Sequence, residues 1–283
     1  MSLGAPLGLG SGLLWGTGDF VGGLQSRRVA PTAVAIWSQV AGAVVLAGVL
    51  AVTGHRPALA GVALGAVGGI GGGAALLLFY RGLAEGAMSV VAPVSACGAV
   101  VPVVVAFAEG TPPGAAPTAG IVAAIAGVVL VSRPARAERH GGGTPPRVVA
   151  MALGAALGFG CFYVFVDAGS AVPGGSPLWV VAGARGGSLV AMLAIAGLGR
   201  RSVPWPGRRL WAVALAGILD TTANLLFAYA STIGNLGVIG VLASLYPVTT
   251  VLLARFVLAE RLSGPQAAGV VLALAGVALL GAG

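Results

Sequence analysis

Three ionisable residues sit inside stretches otherwise built of alanine, valine, leucine, isoleucine and glycine: Asp19, Arg185 and Asp220. A charged side chain in hydrocarbon costs roughly 2.5–3.5 kcal/mol on insertion scales, and where one is retained it usually serves a function. Asp220 lies in Gly217-Ile-Leu-Asp220-Thr-Thr-Ala-Asn224, near the middle of its segment. Asn224 is four residues on, so a helix would place both side chains on one face. A carboxyl at that depth could bind a cationic group or carry a proton. Arg185 is its natural counter-ion, because a lone buried arginine would have nothing to offset its desolvation. We therefore read Arg185 as a structural charge and Asp220 and Asn224 as substrate-binding or coupling residues. Asp19 follows Trp15 by one helical turn and is the next carboxyl to consider.

Other chemistries find little support. Gly16-Thr17-Gly18-Asp19 matches the Gly-x-Gly-Asp pattern of intramembrane aspartyl proteases. That reaction needs a second aspartate from an earlier helix, and no segment precedes this one. The sequence contains no His-Glu-x-x-His, Walker loop or nucleophile elbow. Its two histidines, His55 and His140, stand apart in polar connections, and Cys97 and Cys161 each lie in an apolar run. No metal, cofactor or catalytic residue is expected, and the chain does not read as an enzyme. Without a nucleotide site, an ion or solute gradient must drive any work done.

The elements that would hold these residues are set by composition. Only 8% of the 283 residues are charged and 58% are hydrophobic, against about 25% charged in a soluble domain. Bilayer is the environment that fits. The 49 glycines would weaken soluble helices, but small residues let membrane helices approach closely. Ten continuous apolar runs of spanning length predict ten helices: 5–23, 31–52, 59–80, 87–108, 115–132, 148–168, 178–198, 210–230, 236–258 and 264–281. None alternates with period two, so a barrel is not expected. Pro93, Pro102 and Pro247 should interrupt the fourth and ninth.

A twelve-residue phrase occurs twice. Ala119-Gly120-Ile-Val-Ala-Ala-Ile-Ala-Gly127-Val-Val-Leu130 returns 149 residues later as Ala268-Gly269-Val-Val-Leu-Ala-Leu-Ala-Gly276-Val-Ala-Leu279. A single acid precedes each copy, Glu109 and Glu260, placed where a helix gives way to a loop and suited to gating or packing. Pro31 with Gln39 matches Pro177 with Arg185. The chain thus divides into a first five-helix repeat (1–132), a connecting loop (133–147) and a second repeat (148–283). An odd helix count per repeat inverts the second half, a design found in secondary transporters.

Charge predicts orientation. All basic residues are arginine, and the net charge is +8. Thirteen of the fifteen lie in the loops after odd-numbered segments or at the helix ends beside them, Arg56 alone lies after an even-numbered one, and Arg185 is internal. The positive-inside rule puts the thirteen in the cytoplasm and both termini outside. Arginines in short loops between apolar runs exclude nucleic acid as the expected partner. Trp205 and Trp211, beside Arg200, Arg201, Arg208 and Arg209, suit an interface anchor among membrane lipids.

The acid before each copy of the glycine-spaced helix, and the ending Gly-Val-x-Leu, resemble the EamA-type branch of the drug/metabolite transporter superfamily. Leu14-Trp15-Gly16-Thr17-Gly18-Asp19-Phe20-Val21 is similar to that family's first-helix start. Tyr80-Arg81-Gly82-Leu83 through Ser89-Val90-Val91-Ala92-Pro93 is similar to its third-to-fourth-helix junction. Arg185 fits the arginine often found in the second helix of each half, and Gln39 replaces it in the first. The resemblance implies an all-α integral membrane fold of two inverted five-helix repeats. It also implies a central cavity with Trp15, Asp19, Ser95, Tyr163, Asn224, Ser244 and Tyr246 as lining candidates. Many relatives are drawn with both termini in the cytoplasm, the reverse of what the arginines give here. The expected activity is secondary transport of small solutes across the plasma membrane, namely the export of amino acids or amphipathic compounds, with alternating access and proton coupling. Import of sugars or related solutes is the alternative within transport. A non-transporting sensor or intramembrane enzyme is the alternative outside it.

Overall fold

The computed structural model describes residues 3–54, 56–101, 104–105, 114–131, 144–233, 239, 242–243, 245–259 and 263–280. Every regular element among them is helical. Ten α-helices run in chain order: α1 (Gly4–Ser26), α2 (Pro31–Thr53), α3 (Leu59–Glu85), α4 (Met88–Ala96), α5 (Ala115–Val131), α6 (Pro146–Ser170), α7 (Pro177–Leu198), α8 (Leu210–Ile233), α9 (Tyr246–Leu258) and α10 (Gly264–Leu280). Helices α2, α3, α6 and α7, and α8 with its preceding turn, are long and apolar enough to cross a membrane. Prolines 31, 146 and 177 open their helices, where the missing N–H removes no hydrogen bond and the ring fixes a helical φ. Gly54, in the left-handed region at φ 63°, stops α2.

The fourth span is broken as its proline foretells. α4 contains Pro93 and passes at Cys97–Ala99 into a 3₁₀ turn. The ninth run is interrupted at Pro247 as expected: Leu242 and Ala243 are helical, Leu245 forms a turn, and Pro247 lies in the first turn of α9. Pro102, Glu109, His55, His140 and Glu260 lie outside the described residues.

The contacts repeat across the two halves. α1 packs on α8 and α9, and α6, its counterpart, packs on α3 and α4. α3 packs on α7, and α8 on α2. The duplicated phrase forms α5 and α10, which lie against each other, with Gly127 meeting Ala273. Glycine makes the closest of these approaches. Gly65, Gly69 and Gly73 of α3 face Val180, Ala184 and Ser188 of α7, while Gly183 and Gly187 of α7 face Val62 and Ala66 of α3. A Cβ on Gly69 would overlap the Ala184 carbonyl oxygen. Four-residue spacing aligns small residues in one stripe, and backbone-to-backbone packing then replaces the hydrophobic drive that lipid cannot supply. Single hydroxyls add ties between helices: Ser11 Oγ to Ala223 O at 2.9 Å, Ser188 Oγ to Gly69 O at 2.9 Å and Thr250 Oγ1 to Gly16 O at 3.0 Å.

Two apolar clusters fill the bundle. One occupies the end bearing the described arginine-rich loops and includes Phe20, Phe79, Tyr80, Leu83 and Met88. The other holds Trp15, Leu46, Phe227 and Tyr246 towards the opposite end. The polar site lies between them.

Candidate functional site

Four helices, α1, α2, α7 and α8, bring the intramembrane charges and their polar partners together. Arg185 projects from the middle of α7, is 4% exposed, and reaches two partners. Nη2 donates to Asp220 Oδ2 of α8 at 2.5 Å, and Nη1 donates to Gln39 Oε1 of α2 at 2.5 Å. The residues that matched by position in the two repeats are therefore bonded to each other. Asn224, one turn after Asp220, donates Nδ2 to the Asp220 backbone carbonyl at 2.7 Å. Both residues border the same cavity, as their four-residue spacing predicts. Asp19 enters from α1 and borders the same cavity.

The cavity has about 590 Å³ of atom-free space, its mouth included. One wall is polar, formed by Asp19, Gln39, Arg185, Ser188, Asp220 and Asn224. The other is aromatic. The Trp15 ring centre lies 5.8 Å from Tyr163, 5.7 Å from Phe227 and 6.4 Å from Tyr246, the last edge-on at 74°. Tyr163 and Phe227 are 5.4 Å apart. Tilted and edge-on contacts at these separations are favourable for aromatic pairs. The floor is Gly72 and Leu76 of α3, where the absence of a side chain on Gly72 makes room for Phe162. Towards the arginine-rich end, Phe20, Phe79, Tyr80 and Leu83 are all buried in one apolar cluster.

Seven residues singled out from the sequence meet at this cavity: Trp15, Asp19, Tyr163, Arg185, Asp220, Asn224 and Tyr246. Ser95 is placed elsewhere. It is 1% exposed, its hydroxyl donates to Val91 O at 2.9 Å in its own helix, and it is not among the lining residues. Ser244 lies outside the described residues. Sequence reasoning passed over Phe227, Phe159, Phe162 and Ser188. Phe227 stands seven residues after Asp220 and so shares its face. Phe159 and Phe162 flank Tyr163 in a run where aromatics are dense. Trp205 and Trp37 pack edge-on at 4.7 Å, and Trp37 Nε1 donates to Pro204 O at 3.3 Å, which pins the loop between α7 and α8 at the membrane boundary.

At that same end Glu85 accepts from Arg81 at 2.8 Å and lies 3.3 Å from Arg147 at the start of α6. Arg27, just after α1, donates to the carbonyls of Leu83 and Gly86 at 3.2 and 3.1 Å. These links join α1, α3 and α6 beside that apolar cluster.

Duplicated helical halves closing on a midplane cavity, with charge inside a bilayer-length bundle, define a membrane transporter. The EamA-like transporter family model matches the chain twice, over residues 2–133 and 146–282, and the chain belongs to that family. It is accordingly an integral, multi-pass membrane protein of the drug/metabolite transporter superfamily. A solved crystal structure aligns with 98% of this chain and 95% of its own, at TM-score 0.66 and 20% identity, a likeness of fold. Comparison with curated proteins gives no match.

Proposed function

We propose that this protein is a secondary transporter that exports small amphipathic solutes or amino acids across the plasma membrane. It works by alternating access of one midplane cavity to the two sides. The observation that carries the reading is the ion pair placed at the cavity wall. Arg185 is fastened to Asp220 and Gln39 at once, so it ties α7 to α8 and α2. A proton on Asp220 would cancel the charge that holds Arg185 and loosen that three-helix tie. Binding a proton and changing the contact between repeats then become one event. The ionisable groups around Asp220 are Arg185, Asp19, Tyr80 and Tyr163.

Sugars suit the cavity less well, because they call on polar groups all round and only one wall here is polar, the other being aromatic. The test is a screen in proteoliposomes with and without a pH gradient, offering amino acids, amines, sugars and lipophilic dyes. Accumulation of an amphipathic solute that depends on the gradient is expected. Selective, gradient-independent uptake of sugars would contradict the reading.

A further inference from the structure

Four arginines stand within ten residues between α7 and α8: Arg200, Arg201, Arg208 and Arg209. No aspartate or glutamate occurs between Asp167 and Asp220, so the loop and the helix ends beside it supply no acid of their own. Among the described residues, none of the four guanidinium groups has an ion pair or a hydrogen bond. Glu85, at the same end of the bundle, is already shared between Arg81 and Arg147. The loop is held in shape from within. Pro206 is buried, Val203 packs on the apolar cluster, and Trp37 is bonded to the Pro204 carbonyl. Arg200 and Gly207 take left-handed φ values of 47° and 59°, and the Arg201 N–H donates to Ala196 O at 2.8 Å. An arginine in the left-handed region is strained and persists where its surroundings fix it. Arg200, Arg201 and Arg208 are left exposed and Arg209 half-buried.

The two doublets differ electrostatically. Arg200 and Arg201 follow the carboxyl end of α7, where positive charge is favoured. Arg208 and Arg209 form the turn before the amino end of α8, where the helix dipole opposes them. An anion placed there is attracted by the dipole and by both guanidinium groups, and arginine pairs well with phosphate oxygens. Beside the same doublet the surface is apolar. Trp205 is 59% exposed and Trp211 73%, and exposed indoles of a membrane protein belong at the boundary between headgroups and hydrocarbon. A free anion would answer the arginines and leave these rings bare. A lipid answers both. We propose that the α7–α8 loop is a headgroup site for an anionic phospholipid, with its phosphate on Arg208 and Arg209 and its acyl chains along Trp211. Arg200 and Arg201 form an outer rim that adds attraction at longer range. The site lies outside the cavity and does not rest on the transport reading.

The experiment titrates the purified full chain, in a non-ionic detergent, with dioctanoyl phosphatidylglycerol or dioctanoyl phosphatidylcholine, and native mass spectrometry measures the bound lipid. The anionic lipid should bind about tenfold more tightly or better, since each arginine beside an anionic headgroup contributes about fivefold. Arg208→Gln with Arg209→Gln should remove most of that preference. Arg200→Gln with Arg201→Gln should weaken it less. Arg28→Gln with Arg255→Gln, which takes two charges from other exposed positions, should leave it nearly unchanged. Should the loop variants fold poorly, Trp211→Ala gives the second reading: this exposed ring should cost lipid affinity about threefold without lowering the melting temperature. Inorganic phosphate in excess should leave the lipid in place. Equal binding of the two lipids would overturn the proposal. So would a loss in Arg208→Gln with Arg209→Gln no greater than in the Arg28 and Arg255 control, because attraction by overall charge would then account for the binding. Displacement of the lipid by inorganic phosphate, or full lipid affinity in Trp211→Ala, would assign the arginines to a soluble anion instead.

Discussion

Arg185 is the residue on which the site depends mechanically. It is 4% exposed, and its two bonds reach helices from both repeats. Removing one partner of a buried pair costs about 3–5 kcal/mol, because the remaining charge is left without compensation. Arg185→Gln should therefore lower folded yield and melting temperature sharply. The double variant Arg185→Gln with Asp220→Asn should recover part of the loss, since neither charge then stands alone. Thermal unfolding in detergent measures both. A wild-type melting temperature for Arg185→Gln, with an altered solute profile, would place the guanidinium on the solute instead. The pairing was legible in the sequence because Arg185 and Asp220 are charges in apolar runs with opposite sign. Gln39 as the third member was visible only as the counterpart of Arg185 in the first repeat. That the two counterparts touch follows from the pseudo-symmetry of the bundle, which spacing alone does not give. Ser95 shows the reverse. A serine in an apolar helix satisfies itself on the carbonyl four residues back, and nothing in its type separates that from lining a cavity.

At the scale of elements, the α3–α7 seam decides whether the cavity keeps its shape. Asp220 and Gln39 can hold Arg185 only if α7 stays at glycine distance from α3. Gly69→Ala puts a methyl into the Ala184 carbonyl, and overpacking of this kind costs about 1–3 kcal/mol. Gly48→Ala, on α2 where a Cβ meets nothing within 4 Å, should be neutral or slightly stabilising, because alanine favours helix over glycine. Melting temperatures of the two variants check the contrast, and equal values would show that the seam is not tightly packed. Helix number and approximate bounds were readable from apolar run length. The openings at Pro31 and Pro177 were readable from proline chemistry. The seam partners were not, because a chain with 49 glycines offers many four-residue stripes and only the tertiary arrangement selects one. The interruption at Pro247 was readable from proline chemistry as well, and the turn at Leu245 is where it falls.

At the scale of the whole molecule, orientation and coupling remain as the large claims. The arginine bias predicts that the arginine-rich loops face the cytoplasm and both termini face out. Single cysteines at Ala137 and Val203, with Cys97 and Cys161 removed, should resist impermeant thiol reagents in intact cells. Ready labelling of both would show that the opposite orientation holds. The central claim is that the midplane ion pair couples a proton to solute movement, and Asp220→Asn in proteoliposomes tests it most directly. The asparagine keeps the shape of the side chain and an acceptor for Arg185 but carries no charge; it leaves Arg185 without its counter-ion, so folded yield should fall and transport is compared per folded protein. Solute exchange at equal pH on both sides should persist, since it moves no net proton, while accumulation driven by a pH gradient should disappear. Gradient-driven accumulation at the wild-type rate in Asp220→Asn would contradict the account and leave Asp220 as a structural partner of Arg185.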